Sequence, residues 1–329
     1  MTRAVFHSIA CVLFLFSCSS PKIKIINTDL SRWYSDPLPY FHTAARNGDI
    51  IAVMRCSEEN LVDVNARDNY GWTACMYAAQ NGHAELIEYL ISKKADINLL
   101  DDNGESAFMI ALGYGYLGAA RYLLESGAHI HDRDNEGNTL LMKAASRGCT
   151  EIASELIRRG VPVNARNKKG ETALVQAIES RYAAMVDLLL ARGASPDAKD
   201  REGRPAVIMA IYYRLDESVN SLVKYKADLN MQDRDGKTPL IYALYNRFFN
   251  YVSLLVGHGA DPDRQDNKGM TALMVAAYAG YSDIVIQLLD HGAHAAIRNR
   301  EGKTAAMLAR ESRYASTAEV IENRGAVRK

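Results

Sequence analysis

The 329-residue chain is 48% apolar and 24% charged, ordinary proportions that supply enough apolar surface for a sizeable core and exclude a wholly disordered chain. Its 39 basic and 39 acidic residues cancel, so no net field draws it toward nucleic acid or an anionic membrane surface, and electrostatic recognition has to come from local patterning. One or two globular domains are the ordinary expectation at this length, an expectation that an internal period overrules.

At the N-terminus, Arg3 gives a weakly positive start, and Ala4 to Phe16 form an apolar run interrupted only by His7 and Ser8. The run is too short to span a bilayer and reads as a secretory signal over residues 1–17. Its end, Leu15-Phe16-Ser17-Cys18, resembles a bacterial lipobox, in which a small residue precedes a cysteine that is lipidated and becomes the new N-terminus. Phe16 departs from the commonest pattern and is similar to the relaxed lipoboxes of spirochaetes. The motif implies cleavage after Ser17 and lipidation of Cys18; a plain signal peptide and an uncleaved anchor are the alternatives, and each exports the body. Cys56, Cys75 and Cys149 then remain, an odd number with neither metal-like spacing nor a disulfide framework. Cys75 falls in an apolar pattern and reads as a small core residue, whereas Cys149, near a loop, reads either as a reactive thiol or as a tolerated one. Residues 18–36 form a tether that reaches at most about 60 Å from a membrane. Trp33, Tyr34 and Pro37 are placed to seal the open end of the body.

From there the sequence repeats itself. Asp68-Asn69-Tyr70-Gly71-Trp72-Thr73 returns as Asp266-Asn267-Lys268-Gly269-Met270-Thr271, and Gly71, Gly104, Gly137, Gly170, Gly203, Gly236, Gly269 and Gly302 are each 33 residues apart. In the same register Leu90, Leu123, Leu156, Leu189, Leu222, Leu255, Leu288 and Ile321 share one position. Asp-x-x-Gly predicts a tight turn in which glycine takes a positive φ without strain, and the Thr two residues on predicts a helix cap. A short helix with small Ala and Met on its inner side follows, a glycine ends it, and a second helix carries the paired leucines before Gly-Ala closes the unit. Neither helix can bury its apolar face alone, so the units must stack and share a core.

This pattern resembles the ankyrin repeat over residues 37–329. The resemblance implies an all-α solenoid of about nine stacked helix-turn-helix units with hairpin fingers, at about 37–67, 68–100, 101–133, 134–166, 167–199, 200–232, 233–265, 266–298 and 299–329. Phe41-His42-Thr43-Ala44-Ala45-Arg46-Asn47-Gly48 opens a first repeat that carries one extra residue. The family's Thr-Pro-Leu-His is Thr271-Ala272-Leu273-Met274 in repeat eight. Its His position is Met76, Met109, Met142, Val175, Ile208, Ile241, Met274 and Met307, where apolar packing has to replace the hydrogen bonds of histidine. Pro205 stands where a capping Thr is expected, a loss of about 1 kcal/mol. Lys94 and Lys226 replace a late glycine at a cost of similar order, about 1 kcal/mol.

Signal, tether and repeats leave no stretch for a separate catalytic domain, so no enzyme and no cofactor are expected. His129 with His131, and His291 with His294, are the nearest approach to metal ligands; they lie in closing loops without a Cys or carboxylate cluster and read as surface histidines. The glycines mark turns rather than a Walker loop or dinucleotide fingerprint.

In ankyrin proteins partners meet the finger tips and the exposed side of the first helix, on the concave face. Positions nine and ten after each finger glycine should face that groove, and there the chain places Tyr114, Arg147, Tyr212, Tyr213, Tyr245 and Tyr278. Position eleven, ordinarily glycine, is Arg181, Arg214 and Arg247 in three successive repeats and Arg313 in the last, a predicted arginine ladder beside Tyr212, Tyr213 and Tyr245. Tyr and Arg together dominate binding hot spots, which points to a protein or peptide partner of acidic or mixed charge. The alternative is that the arginines snorkel round the helix ends and the tyrosines pack between repeats. One position further on, Tyr116, Tyr182, Phe248, Tyr281 and Tyr314 read as inter-repeat packing.

The expected function is a non-enzymatic interaction scaffold, exported and lipid-anchored in a bacterial envelope, on the periplasmic leaflet in preference to the surface. A surface-exposed or released factor that binds a eukaryotic host protein is the second reading, and RNA or carbohydrate binding through the groove a third. Unequal capping and glycine usage predict unequal repeat stabilities: native-state hydrogen exchange should give repeat six lower protection than its neighbours, and uniform protection along the chain contradicts this.

Overall fold

A computed structural model describes residues 37–326, so the signal, Cys18, the tether, Trp33 and Tyr34 lie outside the described residues. Among the described residues there are eighteen helices and no strand, only three isolated bridges within fingers, such as Arg133 with Thr139. The helices alternate as inner and outer members of nine pairs, from Pro37–Asn47 with Ile50–Glu58 to Ala305–Glu311 with Ala315–Ala326. Each inner helix packs on the inner helices before and after it, which builds one continuous layer. Ala107–Tyr114, for example, buries every residue from Ala107 to Leu112, whereas its outer partner Leu117–Glu125 buries one face, through Ala119, Ala120, Leu123 and Leu124. This is the all-α solenoid of stacked helix pairs that the resemblance implies.

The local chemistry of one finger shows why each unit folds as it does. Asp68 accepts the backbone N–H groups of Tyr70 and Trp72 at 2.8 and 2.9 Å, and Gly71 takes φ +77° to close the turn. Thr73 accepts the Met76 N–H at 3.3 Å and so caps the inner helix, which ends at Gly82 in the left-handed region. The same cap recurs from Ser106 to Thr304 but not at Pro205, as its side chain requires. There the Ala206 N–H donates to the Ala198 carbonyl across the finger at 2.9 Å, which satisfies one of the helix's first donors by another route.

Two kinds of left-handed position have different tolerances. Lys94 (φ +67°) and Lys226 (φ +64°) occupy sites where Gly127, Gly160, Gly193, Gly259 and Gly292 all face open space, so a side chain fits and only the backbone term of about 1 kcal/mol is lost. At position eleven the space is open at Gly115 but occupied wherever the next repeat brings a tyrosine onto the glycine. A Cβ on Gly82, Gly148 or Gly280 would meet the ring of Tyr116, Tyr182 or Tyr314 of the next repeat at 2.3, 2.6 and 2.5 Å. Those tyrosines are inter-repeat packing, each ring seated on the previous repeat's glycine.

Three readings are refined in the structure. Repeat one keeps the family's histidine, displaced in count by the extra residue: His42 is 5% exposed and its Nε2 lies 3.1 Å from the Ala66 carbonyl, so the hydrogen bond to the neighbouring loop is retained there. Burial holds this imidazole below its usual pKa, opposed by that carbonyl and by the Asp68 charge. Cys149 is 5% exposed and burial pushes its thiol up, so it is a packed residue and not a reactive one. Cys75 is deeper, its thiol pushed up to about 12. The third concerns the arginines of position eleven: Arg181 does lie beside Tyr213, whereas Arg214 lies over Phe248 and not beside Tyr212 or Tyr245.

Closing loops add a ladder of side-chain bonds between repeats. Asn65 accepts the Asp96 N–H at 2.8 Å, Asn98 that of His129 at 2.8 Å, Asn164 that of Ser195 at 2.8 Å and Asn230 that of Asp261 at 2.7 Å. His131 stands at the acceptor position between repeats three and four, and the residue that would donate is Pro162, which has no N–H. The histidine that breaks the sequence pattern thus sits where no donor exists.

Two outcomes are expected. Gly148→Ala should destabilise clearly more than Gly160→Ala in urea unfolding, since both lose about 1 kcal/mol to the left-handed backbone but only the first also displaces a ring; equal losses would remove the docking role assigned to Gly148. His42, depressed in the folded state, is protonated first in the unfolded chain, so its contribution is complete above about pH 6.5 and lost as pH falls below it. Amides of repeat one should therefore lose hydrogen-exchange protection as pH falls below about 6.5, and this dependence should be absent in His42→Gln.

Candidate partner-binding face

The inner helices of repeats six, seven and eight, Ala206–Tyr212, Pro239–Tyr245 and Ala272–Tyr278, each end in a tyrosine. Burial of the apolar side fixes each helix's rotation: Val207 to Ile211, Leu240, Ile241, Ala243 and Leu244, and Leu273 to Ala277 are all buried, which leaves the terminal tyrosine on the open side. Tyr212, Tyr245 and Tyr278 are 50%, 46% and 58% exposed, at identical positions in three adjacent repeats. The fingers fold back over the helices to meet them. The Arg204 guanidinium lies over the Tyr212 ring at 5.3 Å and the Lys237 ammonium over the Tyr245 ring at 5.5 Å. Repeat nine uses the same two positions for an ion pair, Lys303 with Glu311 at 2.8 Å. In repeat eight the finger position beside Tyr278 is Met270.

The tyrosines of this face are held, not loose. The Tyr245 hydroxyl donates to Asp266 at 3.4 Å, and burial together with that carboxylate pushes the phenol up to about 12, so it stays protonated. Tyr213 is half-buried, edge-on to Tyr212 with ring centroids 4.9 Å apart. Arg204 is anchored from behind by Asp200, whose carboxylate accepts from its Nε at 2.6 Å. In repeat three, Tyr114 is 56% exposed and its hydroxyl accepts from Gln80 of repeat two at 2.9 Å.

The predicted arginines take a different course. Arg181, Arg214 and Arg247 adopt φ +63°, +56° and +59° in the turn between inner and outer helix, beyond the tyrosines. Arg181 lies over the Tyr213 ring at 5.2 Å and Arg214 over the Phe248 ring at 4.4 Å, each reaching into the next repeat. Arg214 therefore replaces the glycine-on-ring contact with a guanidinium-on-ring contact. Arg147 is exposed at the C-terminal end of its helix and Arg313 occupies the last left-handed turn at φ +67°. Sequence reasoning missed that the finger cations Arg204 and Lys237 brace the tyrosines; the signal was their constant offset of eight residues, which Lys303 and Glu311 share.

Charge is uneven along the groove. Where repeats six to eight carry tyrosine, repeat five carries Glu179, and repeat nine carries Glu311. Burial, with Glu171 and Asp200 nearby, raises the Glu179 carboxyl above its usual pKa, against the pull of Arg201 and Arg204. Repeats three and four form an open recess lined by Glu105, Asp134 and Glu136, whose charge is offset by Lys143, which contacts Glu105 at 2.6 Å and Asp134 at 2.9 Å, and by Lys169 on Glu136 at 2.5 Å. Among the described residues no group of three potential metal ligands comes together, and His129 and His294 pair with Asp132 and Asp263 in their loops. No described helix is long and apolar enough to cross a membrane.

A family model described as ankyrin repeats (3 copies) matches residues 41–134, 130–200, 185–266, 207–299 and 252–326. Curated relatives match over short stretches. The NAD-capped RNA hydrolase NUDT12 of Homo sapiens and that of Macaca fascicularis are each 40% identical over 53 residues, 16% of this chain and 12% of the relative. The ankyrin repeat, SAM and basic leucine zipper domain-containing protein 1 of Callithrix jacchus is 36% identical over 55 residues, 17% of this chain and 12% of the relative. The chain thus matches 12% of the length of these relatives, and the hydrolase activity named for the first is a property of that protein. With the family model matched along the repeats and the stacked helix pairs that it describes, the chain belongs to the ankyrin-repeat family.

Proposed function

We propose that this chain is a non-catalytic scaffold that binds a protein partner on the concave face of repeats six to eight. The observation that carries the reading is the row Tyr212, Tyr245 and Tyr278: three half-exposed aromatic rings at one position, two of them braced by cations, on a surface already shaped by buried helices. Aromatic rings fixed in advance give contact area at little entropic cost, which is what a binding face requires. Ankyrin repeats are interaction modules, and the stretch shared with a hydrolase covers 12% of that relative. Arg147, Arg181, Arg214, Arg247 and Tyr114 are secondary contacts at the edges of that face in this reading.

The proposal includes placement at a membrane. Leu15-Phe16-Ser17-Cys18 supports export and lipidation at Cys18, on the periplasmic leaflet of a bacterial envelope. Multiple acyl chains make such attachment stable where a single chain does not. The tether then holds the repeats within about 60 Å of the lipid.

Two experiments test these halves separately. Crosslinking and affinity capture from envelope extract should recover a partner with the native chain and lose it with Tyr212→Ala, Tyr245→Ala and Tyr278→Ala combined, a loss of at least about tenfold if each ring is worth more than 1 kcal/mol; undiminished capture by a folded variant refutes the site. Metabolic labelling with a palmitate analogue should mark the native chain and not Cys18→Ala, and label on both chains or on neither removes the anchor. Protease added to intact cells should leave the repeats uncut; digestion favours surface display and a host partner.

A further inference from the structure

The spacing of the tyrosine row has a chemical meaning that the proposed function leaves open. Stacked helices lie about 8 to 10 Å apart, so Tyr212, Tyr245 and Tyr278 repeat at about that interval. A ligand that touches all three with equivalent groups must share the period. An extended β-strand presents equivalent side chains every two residues, about 6.6 to 6.8 Å, and falls out of register by the second ring. A polyproline II helix has three residues per turn and a rise of about 3.1 Å, which gives about 9.3 Å per turn and keeps one side chain in register with every ring. It also carries its conformation into the complex, so little entropy is lost on a preformed surface.

The rings suit proline as the repeated side chain. Each is half exposed, and for Tyr212 and Tyr245 the stacked cation occupies part of the ring and leaves open area for one flat apolar group. The hydroxyl of each tyrosine is a donor for the unpaired carbonyls of a polyproline helix, with Tyr245 shared with Asp266. The row ends in carboxylates at the same position on both sides. Glu311 already holds Lys303 at 2.8 Å. Glu179 has Glu171 at the finger position where repeat nine has Lys303, with Asp200, Arg201 and Arg204 also nearby, so its own finger supplies it no cation at that position.

We infer that the groove of repeats six to eight receives a proline-rich segment in the polyproline II conformation, with prolines three residues apart on Tyr212, Tyr245 and Tyr278 and a lysine or arginine one further turn along, at Glu179. This rests on the reading of the groove as a protein-binding face and gives that partner its chemistry.

The test uses the full chain and fluorescein-labelled synthetic peptides read by anisotropy. The first set carries three prolines at every third residue with a lysine one turn beyond either end; a second has the same composition with prolines at every second residue. The three-residue spacing should bind at least tenfold more tightly, and one lysine placement should be preferred. Tyr245→Ala should weaken that peptide at least tenfold with an unchanged melting temperature, and Tyr245→Phe, which keeps the ring, should retain most of the affinity. Glu179→Gln should weaken the lysine peptide and leave unchanged a peptide with norleucine in place of lysine. Equal affinity for both spacings, or binding indifferent to Tyr245→Ala, overturns the inference. So does binding of a β-linked oligosaccharide in the peptide's stead. If envelope capture depends on the tyrosines while no proline peptide binds, this inference falls and the binding face stands; if neither depends on them, both fall.

Discussion

No single repeat of this chain can bury its own apolar surface, and the structure follows from that constraint. An inner helix such as Ala107–Tyr114 is apolar on nearly every side and is buried only because a neighbour covers each flank. The junction between repeats therefore decides stability, and it is made in three places at once: the helix layers, the finger bonds and the glycine turn where the next repeat's ring lands. The last is the most exacting, because at Gly82, Gly148 and Gly280 both the backbone sign and the space are committed. Where arginine replaces that glycine, the junction is rebuilt with a charged group, as Arg214 does over Phe248.

The period was legible from Gly71 to Gly302, and with it the helix pairs, the Thr caps, the missing cap at Pro205 and the strained Lys94 and Lys226. These are local consequences of residue type at a fixed register, the part of structure that sequence states directly. His42 was missed as the family's histidine because the extra residue in repeat one shifts the count, and only its 3.1 Å contact with the Ala66 carbonyl identifies it. The binding face was legible in its tyrosines but not in its cations. Arg204 and Lys237 precede their tyrosines by eight residues, and the two meet because the finger folds back along the helix, a tertiary fact that helical spacing does not encode. Cys149 looked loop-like because its register position is a turn, yet it is buried.

The junctions and the groove are linked through the same residues. Packing of each inner helix on the next sets the interval between Tyr212, Tyr245 and Tyr278, and at the junction of repeats six and seven Arg214 over Phe248 takes the place of a ring seated on glycine. The left-handed arginines occupy the turns of repeats five to seven, which overlap the tyrosine row of repeats six to eight in two repeats. Charge at the tyrosine position then distinguishes the ends of the row, with Glu179 before it and Glu311, paired with Lys303, after it.

The most direct measurement is fluorine NMR on the chain labelled with 3-fluorotyrosine, with resonances assigned by single Tyr→Phe changes, before and after addition of the captured partner. The account predicts that Tyr212, Tyr245 and Tyr278 shift or broaden together while Tyr89 and Tyr251, on outer helices, stay fixed. Movement confined to Tyr89, Tyr251 or the packing tyrosines Tyr116 and Tyr182, with the row unchanged, would place recognition elsewhere and contradict it.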